Sequence, residues 1–592
     1  MANPVARVLH TSGRGCQDQQ MEADPTSPAD RREAPSVAET HAALTAAPSM
    51  FEMEDVDVFG TRLRAWKHAP ASLRVILEAS RTRGDAPFIV YEDEALTFEE
   101  HFRAAAHLAT VLVERYGIEK GDRVAIVMRN FPEWSIAFWA AAAAGAVVVP
   151  LNAWWTSAEL EYGLRDSGSK VAFVDAERLD RIRDFMPALD LETVVVRAER
   201  STDLAGAEHW DDVLGVVPET AALPGVDLVP EDLATIFYTS GTTGRPKGAL
   251  GTHRNICGNL LSLAFAARRA QMRAGRAPES TPGQNVYLLS VPFFHATGCH
   301  SILVANLAAG GKLVLMHKWD AERALELIER ERVTTFGGVP AMVWQVLQSP
   351  SFETRDISSV QSIGYGGAPA APELVRRIEE LFPGRTPSNG YGLTETSSVT
   401  TMNSGIDYLR KPDSVGVPVP VVDIRVITAE GHALPAGEVG ELWIQGPNVV
   451  KGYWGMPAET EQAFGGGWFK SGDLARVDDE NFVYIVDRAK DMVIRGGENV
   501  YCSEVEAALF EHPDVADVAV IGVPHQVLGE EVGAVIVPRP GSHLTADDVR
   551  AHVAARLAAF NVPAHVFFRD EALPRNPAGK VLKRELRDEL VG

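Results

Sequence analysis

Apolar and polar positions along this chain follow two rhythms. Helical spacing, as in Phe98 to Tyr116, alternates with short β-rich runs such as Arg123-Val124-Ala125-Ile126-Val127-Met128 and Val171-Ala172-Phe173-Val174. Apolar residues three and four apart put one helix face on a core, and short apolar runs fit strands covered on both faces. The alternation predicts α/β layers built on parallel strands. The run Ser135 to Leu151 holds Ala140 to Ala144 and Val147 to Val149 and ends beyond Pro150. A membrane span needs about 20 apolar residues. This shorter run, with Glu133 just before it, predicts a buried alanine-rich helix followed by a core strand.

After Tyr391 the texture becomes β-rich, with predicted strands at Val421 to Thr428 and Gly440 to Gln445. A second change falls near Asp487, where Arg488-Ala489-Lys490-Asp491 is short and charged, as a hinge requires. Beyond it the pattern predicts a helix over Cys502 to Phe510, strands over Val515 to Val523 and Val532 to Val537, and a helix over Asp547 to Phe560. The expected fold is α/β multidomain: a large N-terminal α/β domain with a β-rich subdomain, over residues 50–487, and a small mobile α+β C-terminal domain over 488–592. Residues 1–49 are polar and lack periodicity. They predict a disordered extension, with Met50 as a candidate true start.

The 592 residues carry a formal net charge of −24, which disfavours nucleic acid or an anionic membrane as a partner. Cys16, Cys257, Cys299 and Cys502 are scattered and form no C-x-x-C pair. This suits a reducing, cytoplasmic setting. The chain shows no charged-then-apolar leader of the secretory kind. His295, Cys299 and His300 lie close in sequence, but no further Cys/His pair completes a zinc motif.

The densest chemistry is Tyr238-Thr239-Ser240-Gly241-Thr242-Thr243-Gly244-Arg245-Pro246-Lys247-Gly248. Hydroxyls, glycines and cations in one loop can turn many donors toward a polyanion. The preceding Leu233 to Tyr238 reads as a strand, which argues against a plain Ser/Thr/Gly linker. The loop is no P-loop, because Gly248 follows Lys247 where that motif places a Mg²⁺-binding Ser or Thr. Any metal ligand must come from elsewhere.

Further segments stand out. Asn389-Gly390-Tyr391-Gly392-Leu393-Thr394-Glu395-Thr396 offers an aromatic face for a base, a hydroxyl for a phosphate and a hard oxygen for Mg²⁺. Ser362 to Pro369 reads as a strand entering a glycine turn, with Gly366, Gly367 and Ala368 at the turn. Asp473, in Gly467-Trp468-Phe469-Lys470-Ser471-Gly472-Asp473, can accept two hydrogen bonds from a vicinal diol. Gly496-Gly497 opens a second glycine loop, and Lys580 stands alone after Gly579 near the end of the chain. Pro292 to Gly298 holds His295.

These motifs, in this order, resemble the adenylate-forming superfamily, which includes acyl-CoA synthetases and aryl acid–CoA ligases. The likeness runs from about Phe51 to the C-terminus. It implies that Thr239, Ser240, Gly241, Thr242, Thr243, Gly244 and Lys247 hold the ATP phosphates. Gly366, Gly367, Ala368, Asn389, Gly390, Tyr391 and Gly392 would enclose adenine, and Thr394 would reach the α-phosphate. Glu395 would bind Mg²⁺, and Asp473 and Arg488 the ribose. It further implies that Lys580 acts in adenylate formation, that His295 meets the carboxylate, that Lys490 is the pivot, and that Gly496 and Gly497 border coenzyme A. Many members have proline where this chain has Cys502.

The implied activity is ATP-dependent acid–CoA ligation through an acyl-adenylate, releasing AMP and pyrophosphate. Phe336 to Met342 and the glycines near Tyr365 carry no cation. They favour a medium- or long-chain fatty or other hydrophobic monocarboxylic acid, with an aryl acid as the alternative. A non-catalytic nucleotide-binding protein is the alternative of another class, and Glu395, Lys580 and the hinge together weigh against it. No carrier-domain segment follows Lys580, against peptide-synthetase use, and no G-x-S-x-G elbow marks a hydrolase.

Overall fold

The computed structural model describes residues 34–239, 245–276, 283–367, 370, 372–385, 387–496, 498–576 and 579–591. Among these the chain forms two large, mostly parallel sheets, a four-stranded antiparallel sheet, a two-stranded ribbon and a C-terminal sheet. This is a large α/β N-terminal domain with a β-rich subdomain, followed by a smaller α+β domain.

The first large sheet is centred on Arg123–Val127, with Val147–Pro150 on one side and Val171–Asp175 on the other, all parallel. Leu233–Thr239 extends it beside Val147–Pro150, and Lys247–Thr252 returns antiparallel along Leu233–Thr239. In the second, parallel strands include Thr335–Gly338, Ser362–Gly366 and Pro387–Tyr391, and Thr401–Ser404 pairs antiparallel with the last. Helix Pro132–Ala143 lies between the two sheets, touching Arg123–Val127 and Val147–Pro150 of one and Pro87–Tyr91 of the other. It is buried all round, which explains its alanines: a helix with no solvent face has no use for a polar stripe, and small side chains let both sheets approach. No helix among the described residues is long and apolar enough to cross a membrane.

The four-stranded sheet runs Asp423–Ile427, Gly440–Gln445, Phe469–Val477, Val483–Arg488. Its last strand leads through residues 489–492 into Val493–Arg495 of the C-terminal sheet, where Val515–His525 and Gly529–Pro538 form a long antiparallel pair. Helix Cys502–Phe510 falls where its spacing predicts.

Two expectations are corrected. The helix foreseen to Phe560 ends at Ala554, and a separate 3₁₀ turn covers Ala559–Asn561. Residues 34–49 are not a disordered extension. Ser36 and Glu39 form a reciprocal capping box that starts helix Val37–Thr45. His41 sits edge-on to Phe265, with centroids 5.1 Å apart, and Arg273 reaches both the Pro35 carbonyl and Asp407. Composition missed this because the helix is stabilised by packing on the long helix His253–Arg273, not by its own apolar content. Residues 1–33 lie outside the described residues.

Candidate functional site

The segment Tyr238 to Gly248 starts and ends in paired antiparallel strands, since Thr239 pairs with Lys247 and Tyr238 with Gly248. The return is a strand, so no helix N-terminus follows the loop, unlike a P-loop. Ser240, Gly241, Thr242, Thr243 and Gly244 lie outside the described residues. Thr239 closes the outgoing strand and Lys247 opens the return. On the free side of the return strand, Leu250 and Gly248 bond backbone to backbone with Gly452 and Trp454. This carries Tyr453 into the site. The Lys247 ammonium stands 5.2 Å from the Tyr453 ring centroid, and the Tyr453 hydroxyl donates to Glu395 Oε1 at 2.9 Å. Tyr453 thus bridges the loop lysine and the candidate metal ligand. Sequence reasoning missed it, since only pairing between distant segments places it there.

Glu395 is buried, and burial pushes its carboxyl pKa up despite the Tyr453 bond. It lies in a turn, Thr394–Thr396, that begins beyond the end of strand Pro387–Tyr391. Gly392 makes that turn possible: a Cβ there would lie 1.5 Å from the Ser398 carbonyl oxygen. Ser397 and Ser398 both have positive φ. The turn is also held from the segment carrying His295. Ser301 and Ser398 share a hydrogen bond of 2.7 Å, and His300 Nδ1 lies 3.4 Å from the Ser397 carbonyl. His300 and Ser301 belong to a π-helix, Thr297–Val304, a conformation common at functional sites. His295 precedes it. Its Nε2 is shielded, with no partner among the described residues, and burial pushes its pKa down to about 4, so the ring is neutral at pH 7.

On the other side of Tyr391 the candidate ribose-binding groups meet. Its hydroxyl donates to Asp473 Oδ2 at 2.7 Å, and Arg488 Nε forms an ion pair with Asp473 Oδ1 at 2.9 Å. Asp473 and Arg488 are direct cross-strand partners, so sheet register sets their pairing. Asp473 is buried. Tyr391 has its pKa raised by burial first and then by Asp473. Asn389, Gly390, Gly366 and Gly367 lie together, because Gly366 is in register with Gly390. Ala368 lies outside the described residues.

Lys580 enters from the C-terminal domain. Its loop is tied by Asn576, whose side chain accepts from the Lys580 N–H at 2.9 Å while its own N–H donates to the Lys580 carbonyl at 2.8 Å. The loop is seated on the N-terminal domain: a Cβ on Gly579 would lie 2.5 Å from Val339 Cγ2. Burial pushes the Lys580 ammonium down to about 8. Arg488 and Lys490 add to the shift, and Asp473 and Asp491 oppose it. The Lys580 ammonium thus lies in the field of Asp473 and Arg488. Lys490 lies in the turn after Arg488. The structure does not bring Gly496 to this group. Its N–H bonds to Leu528 of its own domain, and among the described residues no hydrogen bond links it to Tyr391, Asp473 or Glu395. Gly497 lies outside the described residues. Cys502 is buried and its thiol pKa is raised, as an unreactive position requires.

Comparison with known proteins agrees with this geometry. Residues 76–454 match the AMP-binding enzyme family and residues 504–580 its C-terminal domain. The chain is 36% identical over 493 residues to a feruloyl-CoA synthase of an Amycolatopsis species, covering 83% of this chain and 94% of that protein. It is 33% identical over 544 residues to a long-chain-fatty-acid–CoA ligase of Bacillus subtilis, covering 88% and 94%. The crystal structure of ATP-bound MatB from Rhodopseudomonas palustris superposes with a TM-score of 0.77 at 33% identity, covering 88% of this chain and 98% of that one. With these matches over most of its length, the chain belongs to the AMP-binding enzyme family, the adenylate-forming acid–CoA ligases.

Proposed function

We propose that this enzyme activates a hydrophobic monocarboxylic acid in two steps, and that the residues gathered above carry them. The observation that supports this best is Lys580, carried by the C-terminal domain on a loop that packs on Val339 of the N-terminal domain, with its ammonium in the field of Asp473 of that domain. In the first step the substrate carboxylate attacks the α-phosphorus of ATP. An acyl O–P bond forms, the bond to the β-phosphate bridge breaks, and pyrophosphate leaves. Tyr391 packs on adenine, and Asp473, oriented by Arg488, accepts from the ribose hydroxyls. Thr239, Lys247 and the loop hydroxyls hold the phosphates. Thr394 donates to the α-phosphate, and the Lys580 ammonium offsets the charge that builds between carboxylate and phosphate.

Glu395 fits Mg²⁺. It is a buried hard oxygen whose one hydrogen-bonding side-chain partner among the described residues is a neutral phenol, and Mg²⁺ with nucleotides commonly takes one carboxylate plus phosphates and water. The metal would supply charge neutralisation at the phosphates. Among the described residues no group of three or more His, Cys, Asp or Glu ligands could hold a metal ion.

In the second step the C-terminal domain, residues 488–592, turns about Lys490. Lys580 leaves and the Gly496–Gly497 loop enters. The coenzyme A thiolate attacks the acyl carbon, a C–S bond forms, the bond from that carbon to the phosphate-bridging oxygen breaks, and AMP leaves with that oxygen. For the acid, Val339, which follows strand Thr335–Gly338, and Met342 and Val343 in the next helix, Pro340–Leu347, are apolar and no cation stands in that segment, which supports a fatty acid. An aryl acid is the second reading, favoured by the likeness to a feruloyl-CoA synthase. Reducing, cytoplasmic surroundings fit the free thiols of Cys257, Cys299 and Cys502. The test is acid-dependent exchange of labelled pyrophosphate into ATP across fatty and aryl acids, followed by coenzyme A-dependent AMP release. Exchange with no acid in such a panel refutes the reading.

A further inference from the structure

Helix Cys502–Phe510 has no cap of its own. Its N-cap residue is Tyr501, whose side chain makes no capping bond. The first turn of a helix leaves N–H groups unpaired and favours a negative charge nearby. Here that charge comes from across the hinge. Asp487, at the end of strand Val483–Arg488, accepts from the Cys502 N–H through Oδ2 at 2.5 Å and from the Arg488 N–H through Oδ1 at 2.7 Å. Ser503, next in the helix, bonds through its hydroxyl to the Val486 carbonyl. The Cys502 thiol donates to the Asp491 carbonyl at 3.0 Å. Asp487 is buried, which pushes its carboxyl up to about 6, while Lys583, ion-paired to Glu506 at 2.7 Å, and the Arg488 and Cys502 N–H groups favour its charge.

These contacts divide at Lys490. Asp487 and Val486 precede the pivot, and Cys502, Ser503 and Asp491 follow it. Rotation about Lys490 moves the helix N-terminus with the C-terminal domain and leaves Asp487 with the strand. The Asp487–Cys502 bond therefore exists only while Lys580 is in place. The Cys502–Asp491 bond survives the rotation.

We propose that the Cys502 N–H and the Asp487 carboxylate form a latch, a helix cap donated across the hinge, that holds the enzyme in the arrangement presenting Lys580. Cys502 and Asp487 are positioning residues here, since neither touches substrate. The proposal rests on the two-arrangement reading above.

The test is Cys502→Pro in the full-length protein. Cys502 is the first helical residue, where proline is tolerated, and Tyr501 already has the extended conformation (ψ 113°) that a following proline requires. The variant removes the N–H and leaves the helix. Two rates are measured with dodecanoate or ferulate, whichever exchanges pyrophosphate faster. One is pyrophosphate exchange, and the other is single-turnover thioester formation from the supplied acyl-adenylate and coenzyme A. The expected result is a rise of about tenfold in the ratio of thioester formation to exchange. Cys502→Ala, which keeps the N–H, leaves the ratio as in the wild type. Asp487→Asn, an independent variant with a weaker, uncharged acceptor, shifts it the same way by about threefold. An unchanged ratio in both Cys502→Pro and Asp487→Asn, or equal loss of both rates as from simple destabilisation, overturns the latch. Wild-type protein lacking both half-reactions refutes the functional reading instead, and the latch with it.

Discussion

Replacement of Lys580 by alanine separates the two half-reactions. The Lys580 backbone is tethered by Asn576 and the loop is seated through Gly579 on Val339, so the stem of the side chain is anchored before substrate arrives. Loss of one well-placed charge-stabilising donor from a dry site costs about 3–4 kcal/mol in the transition state. Adenylation then falls about 10²- to 10³-fold. Thioester formation from supplied acyl-adenylate is expected to stay within about threefold, because Lys580 has left the site by then. The same lysine sets a pH limit. Burial brings its pKa down from 10.5 to about 8. The ammonium is therefore mostly present at pH 7 and is lost as pH rises through 8. The adenylation kcat/KM, which reports the free enzyme, is expected to decline about tenfold per pH unit above 8. The limb should vanish in Lys580→Ala. Both are read by pyrophosphate exchange across pH 6 to 10, beside single-turnover thioester formation. Equal loss of both half-reactions in Lys580→Ala, or a declining limb that survives the substitution, would refute the reasoning.

Asp473→Asn removes the charge that pairs with Arg488, and the KM for ATP is expected to rise about tenfold with little change in affinity for the acid, measured by initial rates. Gly392→Ala drives a Cβ into the Ser398 carbonyl, so exchange activity should fall at least about 100-fold together with a lower Tm by calorimetry; near-normal activity would refute the close approach. Lys490→Pro is expected to slow thioester formation more than adenylation in single-turnover measurement, and the reverse order would move the pivot elsewhere. Removal of residues 1–49 strips helix Val37–Thr45 from Phe265 and frees a bond of Arg273, so Tm should drop by about 3–8 °C, and no change would show that the helix adds nothing.

The sequence by itself determined the elements and the kind of chemistry. Period-2 and period-3.6 patterns are local, so Leu233–Thr239, Gly440–Gln445 and Cys502–Phe510 were readable from neighbours alone. Glycine, hydroxyl and carboxylate clusters likewise announce a phosphate ligand wherever they lie. Only the tertiary structure decided which groups meet. Tyr453 reaches Glu395 through an edge pairing of segments some 200 residues apart in the chain. Asp473 faces Arg488 because of sheet register, and Lys580 comes into the field of both because its loop packs on Val339 of the other domain. The helix at 37–45 and the cap on Cys502 were invisible for the same reason. Their stabilising partners, Phe265 and Asp487, lie outside the local window, and a pattern of nearest neighbours carries no information about what a distant surface will supply.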